Sequence, residues 1–198
     1  MSVRITKFTV AAVVTAVLLS LTVLNARAQA ATAACWIRGN ATDATRRPSP
    51  LDSSSVALEG GTIKICYGRP GRHQRVIMGQ LVPYGSAWRL GANEATSIQV
   101  PFPARIGGIE VAPGSYSLYA IPEATQWRVV VNRDVQRWGV PINDEVRAQD
   151  VGSTVVPVEH LDKPVETLTI TLNRRSSAAA TMEVEWENTR VRIPVEKR

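Results

Sequence analysis

Most of the side chains able to recognise or transform a ligand fall in one stretch, Gly68 to Asn93, with Glu94 directly after it. It carries Arg69, Arg72, His73, Arg75, Tyr84, Trp88, Arg89 and Asn93. Guanidinium groups beside aromatic rings suit carboxylate, phosphate or sugar recognition. Glu94 is the only acid there, and with Arg89 nearby it has the makings of a general acid or base beside a positive charge. The plainer reading is that the arginines tie loop carbonyls, Trp88 caps a core, and Glu94 sits in a structural ion pair. Tyr119 and Trp138 complete the candidate set of Arg69, Trp88, Arg89, Asn93, Glu94, Tyr119 and Trp138. A stretch this long without strand patterning is usually functional or disordered, and its anchors Val76, Ile77, Met78, Leu81 and Trp88 argue against disorder.

Known catalytic templates are a poor fit. After residue 30 the chain has two histidines, His73 and His160, in unrelated contexts, and neither has metal-ligand spacing to another His or Cys. We therefore expect no metal and no cofactor. Gly114-Ser115-Tyr116 leads from a turn into a strand, the reverse of a nucleophile elbow. No Gly-rich loop ends in Lys-Ser or Lys-Thr, as a phosphate cradle requires.

The elements that must position these residues are short and alternating. Ser54–Leu58 and Thr62–Tyr67 flank Glu59-Gly60-Gly61, and Ala104–Ile106 and Ile109–Val111 flank Gly107-Gly108, both hairpin signals. Ser115–Ile121 follows the Ala112-Pro113-Gly114 turn, and Gln126–Asn132 sets Trp127, Val129 and Val131 against Arg128 and Asn132. Val151–Val158, Glu166–Leu172, Thr181–Glu187 and Arg190–Val195 continue the pattern. Asn188-Thr189 is either a two-residue turn, setting Glu187 opposite Arg190 and Glu185 opposite Arg192, or a bulge in one long strand. Asp144–Gln149 has room for a helical turn or two. Roughly nine short strands predict an all-β chain: a single β-sandwich, jelly-roll-like, over residues 51–198. Residues 31–50 read as an extended lead-in ending in Arg46-Arg47-Pro48-Ser49-Pro50.

Residues 1–30 read as a signal peptide. Arg4 and Lys7 precede the apolar run Phe8–Leu24, and Ala26-Arg27-Ala28 and Ala28-Gln29-Ala30 offer small-residue cleavage sites. An uncleaved anchor is the alternative, although the run is short for a span of about 20 residues. Acylation of Cys35 fits less well, since Thr32 stands where an aliphatic residue belongs. Cleavage after Ala30 places the protein in the periplasm or outside the cell with no stable membrane span. The whole chain has 23 Lys+Arg and 17 Asp+Glu. The signal holds three of the basic residues and no acid, which leaves 20 against 17, a net charge of +3 on the remainder. These charges are interleaved, so no nucleic-acid footprint remains. Cys35 and Cys66 then lie in an oxidising compartment, which favours a disulfide over two buried thiols. Ile63, Ile65 and Tyr67 share a strand face, so Cys66 points away from the core, toward a crossing N-terminal segment.

Six ordered blocks carry a family resemblance: Cys66–Pro70, Met78–Gly85, Trp88–Thr96, Pro113–Tyr119, Trp138-Gly139 and Glu185–Thr189. Over about residues 50–195 the chain resembles the bacterial domain-of-unknown-function family 2911. The resemblance implies a β-rich, exported domain and brings no activity, cofactor or catalytic residue. Members often place Thr or Val before Tyr-Gly-Arg-Pro, where this chain has Cys66. The preferred expectation is a non-enzymatic sandwich that binds a small ligand or protein partner through the Arg69–Glu94 surface. The alternative is a hydrolase-like enzyme using Glu94 with Arg89 and His73 or Tyr119. A buried, fully paired Glu94 speaks against the enzyme. A pocket exposing Glu94, Arg69, Trp88 and Tyr119 together favours both readings.

Overall fold

The computed structural model describes residues 34–198, so the signal-peptide reading and its cleavage site lie outside the described residues. The described residues are all-β apart from two short helices. Helix α1 (Ala41–Arg46) interrupts the lead-in expected to be extended. Asn40 caps it by accepting a hydrogen bond from the Asp43 amide at 2.9 Å, and Pro48 follows close behind its end. Strands β1 (Leu51–Leu58) and β2 (Gly61–Gly68) form the first hairpin. They are followed by β3 (Thr96–Val100), β4 (Ala104–Ile106), β5 (Ile109–Val111), β6 (Gly114–Pro122) and β7 (Gln126–Asn132). Helix α2 (Asp144–Arg147) precedes β8 (Asp150–Arg174) and β9 (Ala179–Lys197).

All pairings are antiparallel, in the order β1-β2-β3-β6-β7-β8-β9-β4-β5. Strand β8 is where the sheet folds over: residues 150–157 pair with β7, and the remainder pairs with β9. Its far half thereby faces β1 and β2. Backbone groups on that half's other edge would be orphaned in the interior without partners. Ser54 Oγ accepts from the Leu172 amide (3.0 Å), Tyr67 Oη from Ile170 (3.1 Å) and the Pro70 carbonyl from Leu168 (3.0 Å). The run Tyr67-Gly68-Arg69-Pro70 is thus the seam that closes the fold.

Val151–Val158 and Glu166–Leu172, expected as separate strands, run together as β8, and of the two readings at Asn188-Thr189 the single long strand, β9, is the one found. Strand β8 continues through Pro157 and Pro164 with register shifts between His160 and Thr169. Strand β9 passes Asn188 without a turn, and Glu187, opposite the surplus residues of β8, takes a φ of 55°. The Glu187 carboxylate accepts from the Ile77 (3.2 Å) and Met78 (3.1 Å) amides, which anchors the long loop. Arg190 consequently pairs with Glu185, and Arg192 with Glu159 and Glu183.

The inner faces bury Ile63, Ile65, Ile98, Leu118, Val129 and Val184, among others, and make one core. The outer face of the larger sheet is buried as well, and it is polar. Cys66, Ser97, Ser117 and Asn132 stand in register across four strands, each 6 % exposed or less. Two segments cover this row: residues 34–50, attached through Cys35, and residues 133–149, attached through Asn132.

Candidate functional site

The seven residues singled out by the sequence separate into three environments. Arg69 belongs to the seam. Its Nε donates to the Leu168 carbonyl and its Nη2 to Thr169 Oγ1, both at 3.2 Å, while Nη1 lies 3.4 Å from Asp52. Trp88 belongs to the core: its ring stacks on Trp186 at 5.9 Å and meets the edge of Trp127 at 5.6 Å. Its backbone exchanges two hydrogen bonds with Ala120. The neighbouring arginines also serve the loop. Arg72 donates to the Arg75 carbonyl, and Arg75 to the carbonyls of Arg72 and Gly71.

Arg89, Asn93, Glu94 and Trp138 come together. The turn before β3 holds Leu90 and Asn93 at φ of 54° and 63° and lies directly on two glycines. A Cβ at Gly68 would stand 2.0 Å from the Ala92 carbonyl oxygen, and one at Gly139 would stand 2.4 Å from Arg89 Cδ. Only glycine permits so close an approach. The Asn93 carbonyl accepts from Gly139, and Asn93 Nδ2 donates to Ser49 at 2.7 Å. Glu94 pairs with Trp138 in an isolated bridge.

The partner of Glu94 is Arg47, not the nearby Arg89, whose Nε turns to the Gly91 carbonyl. Arg47 Nη1 lies 2.7 Å from both carboxylate oxygens, and the Arg38 amide adds a third bond at 2.9 Å. Arg47 Nη2 donates to the Arg38 carbonyl, and the guanidinium lies over the Trp138 ring, 5.6 Å from its centroid. Glu94 is 4 % exposed. Burial by itself pushes its carboxyl up, but the Arg47 hydrogen bond and the Arg38 and Glu94 amides outweigh that and hold it below the ordinary value. Burial also lowers the Arg89 guanidinium from its usual value.

Tyr119 stands apart, on the outer face between β3 and β7, and it heads a network that the sequence reading missed. Its hydroxyl donates to Asp150 Oδ2 at 2.7 Å, and Asn132 Nδ2 donates to Asp150 Oδ1 at 2.8 Å and to the Val146 carbonyl at 2.6 Å. Burial, then the Asp150 hydrogen bond and charge, push the Tyr119 hydroxyl well above its usual value, with Arg147 and Arg137 partly opposing. Arg137 is itself buried, which lowers its pKa against the raising effect of Asp134, Tyr119 and Asp150. Its Nη2 is buried with no hydrogen-bond partner among the described residues. A depression of about 230 Å³ opens beside Tyr119, lined also by Ile121, Arg128, Val130, Arg147 and Asp150. The alternation of Arg128 with Asn132 was the sequence signal for this face.

Cys35 and Cys66, 31 residues apart, are joined in a disulfide with Cα atoms 5.8 Å apart. Among the described residues no group of three or more His, Cys, Asp or Glu is placed to hold a metal, and no helix is long and apolar enough to cross a membrane. No curated protein and no solved structure matches the chain. Residues 49–195, which contain the seam, the Glu94 turn and the Tyr119 network, match the family described as a protein of unknown function, DUF2911, and the chain belongs to that family.

Proposed function

We propose that this chain is an exported, non-enzymatic binding domain that takes a small anionic ligand in the depression beside Tyr119. The observation that carries the reading is Arg128. It lines the depression, is exposed, and its guanidinium makes no hydrogen bond or ion pair with any described residue. Arg147 lines the same wall and makes one long bond, 3.4 Å, to the Ile142 carbonyl. Two guanidinium groups so placed suit a carboxylate or phosphate. Asp150 also lines the depression and offsets one of the two charges, while Tyr119 and Asn132 hydrogen-bond its two oxygens, so one positive charge is left over. Export is supported by the basic-apolar-small pattern of residues 1–30 and by the disulfide, which suits an oxidising compartment. No observation favours a hydrolase built on Glu94 and Arg89, since Arg47 occupies the carboxylate and Arg89 faces a carbonyl.

The test is thermal melting during titration with acetate, citrate, phosphate and sulfate at constant ionic strength. A saturable rise in Tm with at least one anion is expected, because a ligand bound only by the native state stabilises it. The rise should vanish when Arg128→Ala and Arg147→Ala are combined. No rise with any of the anions, or one that survives the double substitution, overturns the reading.

A further inference from the structure

The Glu94 ion pair is assembled from two parts with different status in the chain. Its floor is fixed. Glu94, Asn93 and Trp138 lie inside residues 49–195, the part that matches the family, and they are held by the Gly68 and Gly139 contacts. Its occupant arrives from outside that part, on residues 34–48, a strap tied at one end by Cys35–Cys66 and at the other by Asn93 Nδ2 to the Ser49 carbonyl. The Glu94 side chain is 5 % exposed, whereas that of Arg47 is 21 % exposed. The guanidinium therefore sits at the mouth of the slot and the carboxylate at its base.

The lining matches a guanidinium rather than a generic cation. Both carboxylate oxygens face one nitrogen, the Arg38 carbonyl takes a second, and an aromatic face lies beside the delocalised plane. A compact ammonium offers no planar fork and no second edge to fill the same three positions. We infer that the Glu94–Trp138 slot is an alkylguanidinium-binding site that this chain fills with its own Arg47, a tethered and exchangeable internal ligand. The strap raises the local concentration of Arg47 at the slot, so the occupant wins by attachment and not by contacts unique to it. The class of ligand it takes in trans is an arginine side chain, free or within a peptide. This inference does not depend on the anion reading of the Tyr119 depression, which involves different residues.

The experiment uses the disulfide-intact chain carrying Arg47→Ala, titrated with ethylguanidinium at concentrations far below denaturing ones. Ethylurea is the neutral isostere and ethylammonium the compact cation. The readouts are Tm and the indole N–H resonance of Trp138, assigned through Trp138→Phe. Ethylguanidinium should shift that resonance saturably and restore most of the lost Tm, ethylammonium should do so more weakly, and ethylurea should do neither. Adding Glu94→Gln should abolish the response. A synthetic peptide spanning residues 41–49 should bind more tightly than ethylguanidinium if peptide arginine is the better source, and no more tightly if the free group suffices. Should Arg47→Ala fail to fold, Arg47→Lys keeps a positive charge in the slot, and ethylguanidinium should displace its ammonium with the same Trp138 shift. Absence of a saturable shift in the folded variant, or an equal shift after Glu94→Gln, overturns the inference.

Discussion

Glu94 and Asp150 are two carboxylates that meet the segments covering the outer face of the larger sheet, and they are held in opposite ways. Glu94 is held by a cation delivered from 47 residues away, on a strap that belongs to neither flanking strand. Asp150 is held by neutral donors of its own sheet, Asn132 on the adjacent β7 and Tyr119 on β6, one strand further on. A buried carboxylate facing a guanidinium gains stability only while that partner stays, because removal leaves an uncompensated charge. A carboxylate facing neutral donors near the surface loses less when one donor is removed. The first arrangement is separable and the second is built into the sheet. Exchange therefore belongs to the partner of Glu94, whereas Asp150 takes neither Arg128 nor Arg147 as a hydrogen-bond partner.

The strongest way to break this contrast is to cut the covalent tie. Replacing Cys35 and Cys66 by Ser should lower unfolding free energy by about 3–4 kcal/mol, as expected on the chain-entropy model for a closed loop of this size. Urea unfolding should show that loss, with the Asp150 side of the sheet keeping its amide protection while residues 34–50 lose theirs. Next in size is Arg47→Ala, which should cost about 3 kcal/mol by stranding a buried carboxylate. Its pH dependence carries the sign. The Glu94 carboxyl is held below its ordinary value of 4.5, so its stabilisation is present above that pH and is lost as pH falls through the folded value. Without Arg47, burial is opposed only by the Arg38 and Glu94 amides, so the carboxyl takes up its proton at a higher pH than in wild type. The gap between wild type and Arg47→Ala should therefore narrow below pH 4.5, and a gap constant with pH would assign the loss to packing.

The same contrast explains what was legible in the sequence. Strand faces were legible because one side is apolar: Ile63, Ile65 and Tyr67 put Cys66 on the other face, where the disulfide forms. The Gly60-Gly61 and Gly107-Gly108 hairpins were legible because their φ values, between 58° and 150°, favour glycine. The length of β8 was not, and that of β9 was left open between a turn and one long strand. Pro157, Pro164 and Asn188 are turn-forming residues, and the long cross-strand ladder overrides them with bulges. Sequence proximity suggested Arg89 as the neighbour of Glu94. Arg47 was unreadable as its partner because nothing local records a contact across 47 residues. Asp150 was missed because it closes a network through a bulge between Val131 and Asn132, where alternation breaks.

The smallest expected effect tests the neutral side of the comparison. Tyr119→Phe keeps the ring and removes one hydrogen bond to Asp150, so it should cost about 1–2 kcal/mol, in line with a single bond to a charged acceptor. Because the hydroxyl is held above its ordinary value of 10.0, the protonated form is the one the fold favours. Its contribution is fully present below that pH and is lost as pH rises through and beyond it. Wild type should therefore destabilise more steeply than Tyr119→Phe above pH 10.0, and the two curves should run parallel at neutral pH. The variant should leave the acid limb set by Glu94 untouched. If Tyr119→Phe instead costs as much as Arg47→Ala, Asp150 depends on its neutral donors as heavily as Glu94 depends on its cation. The two carboxylates would then be equally committed to the fold, and a cationic partner would be no more exchangeable than a neutral one.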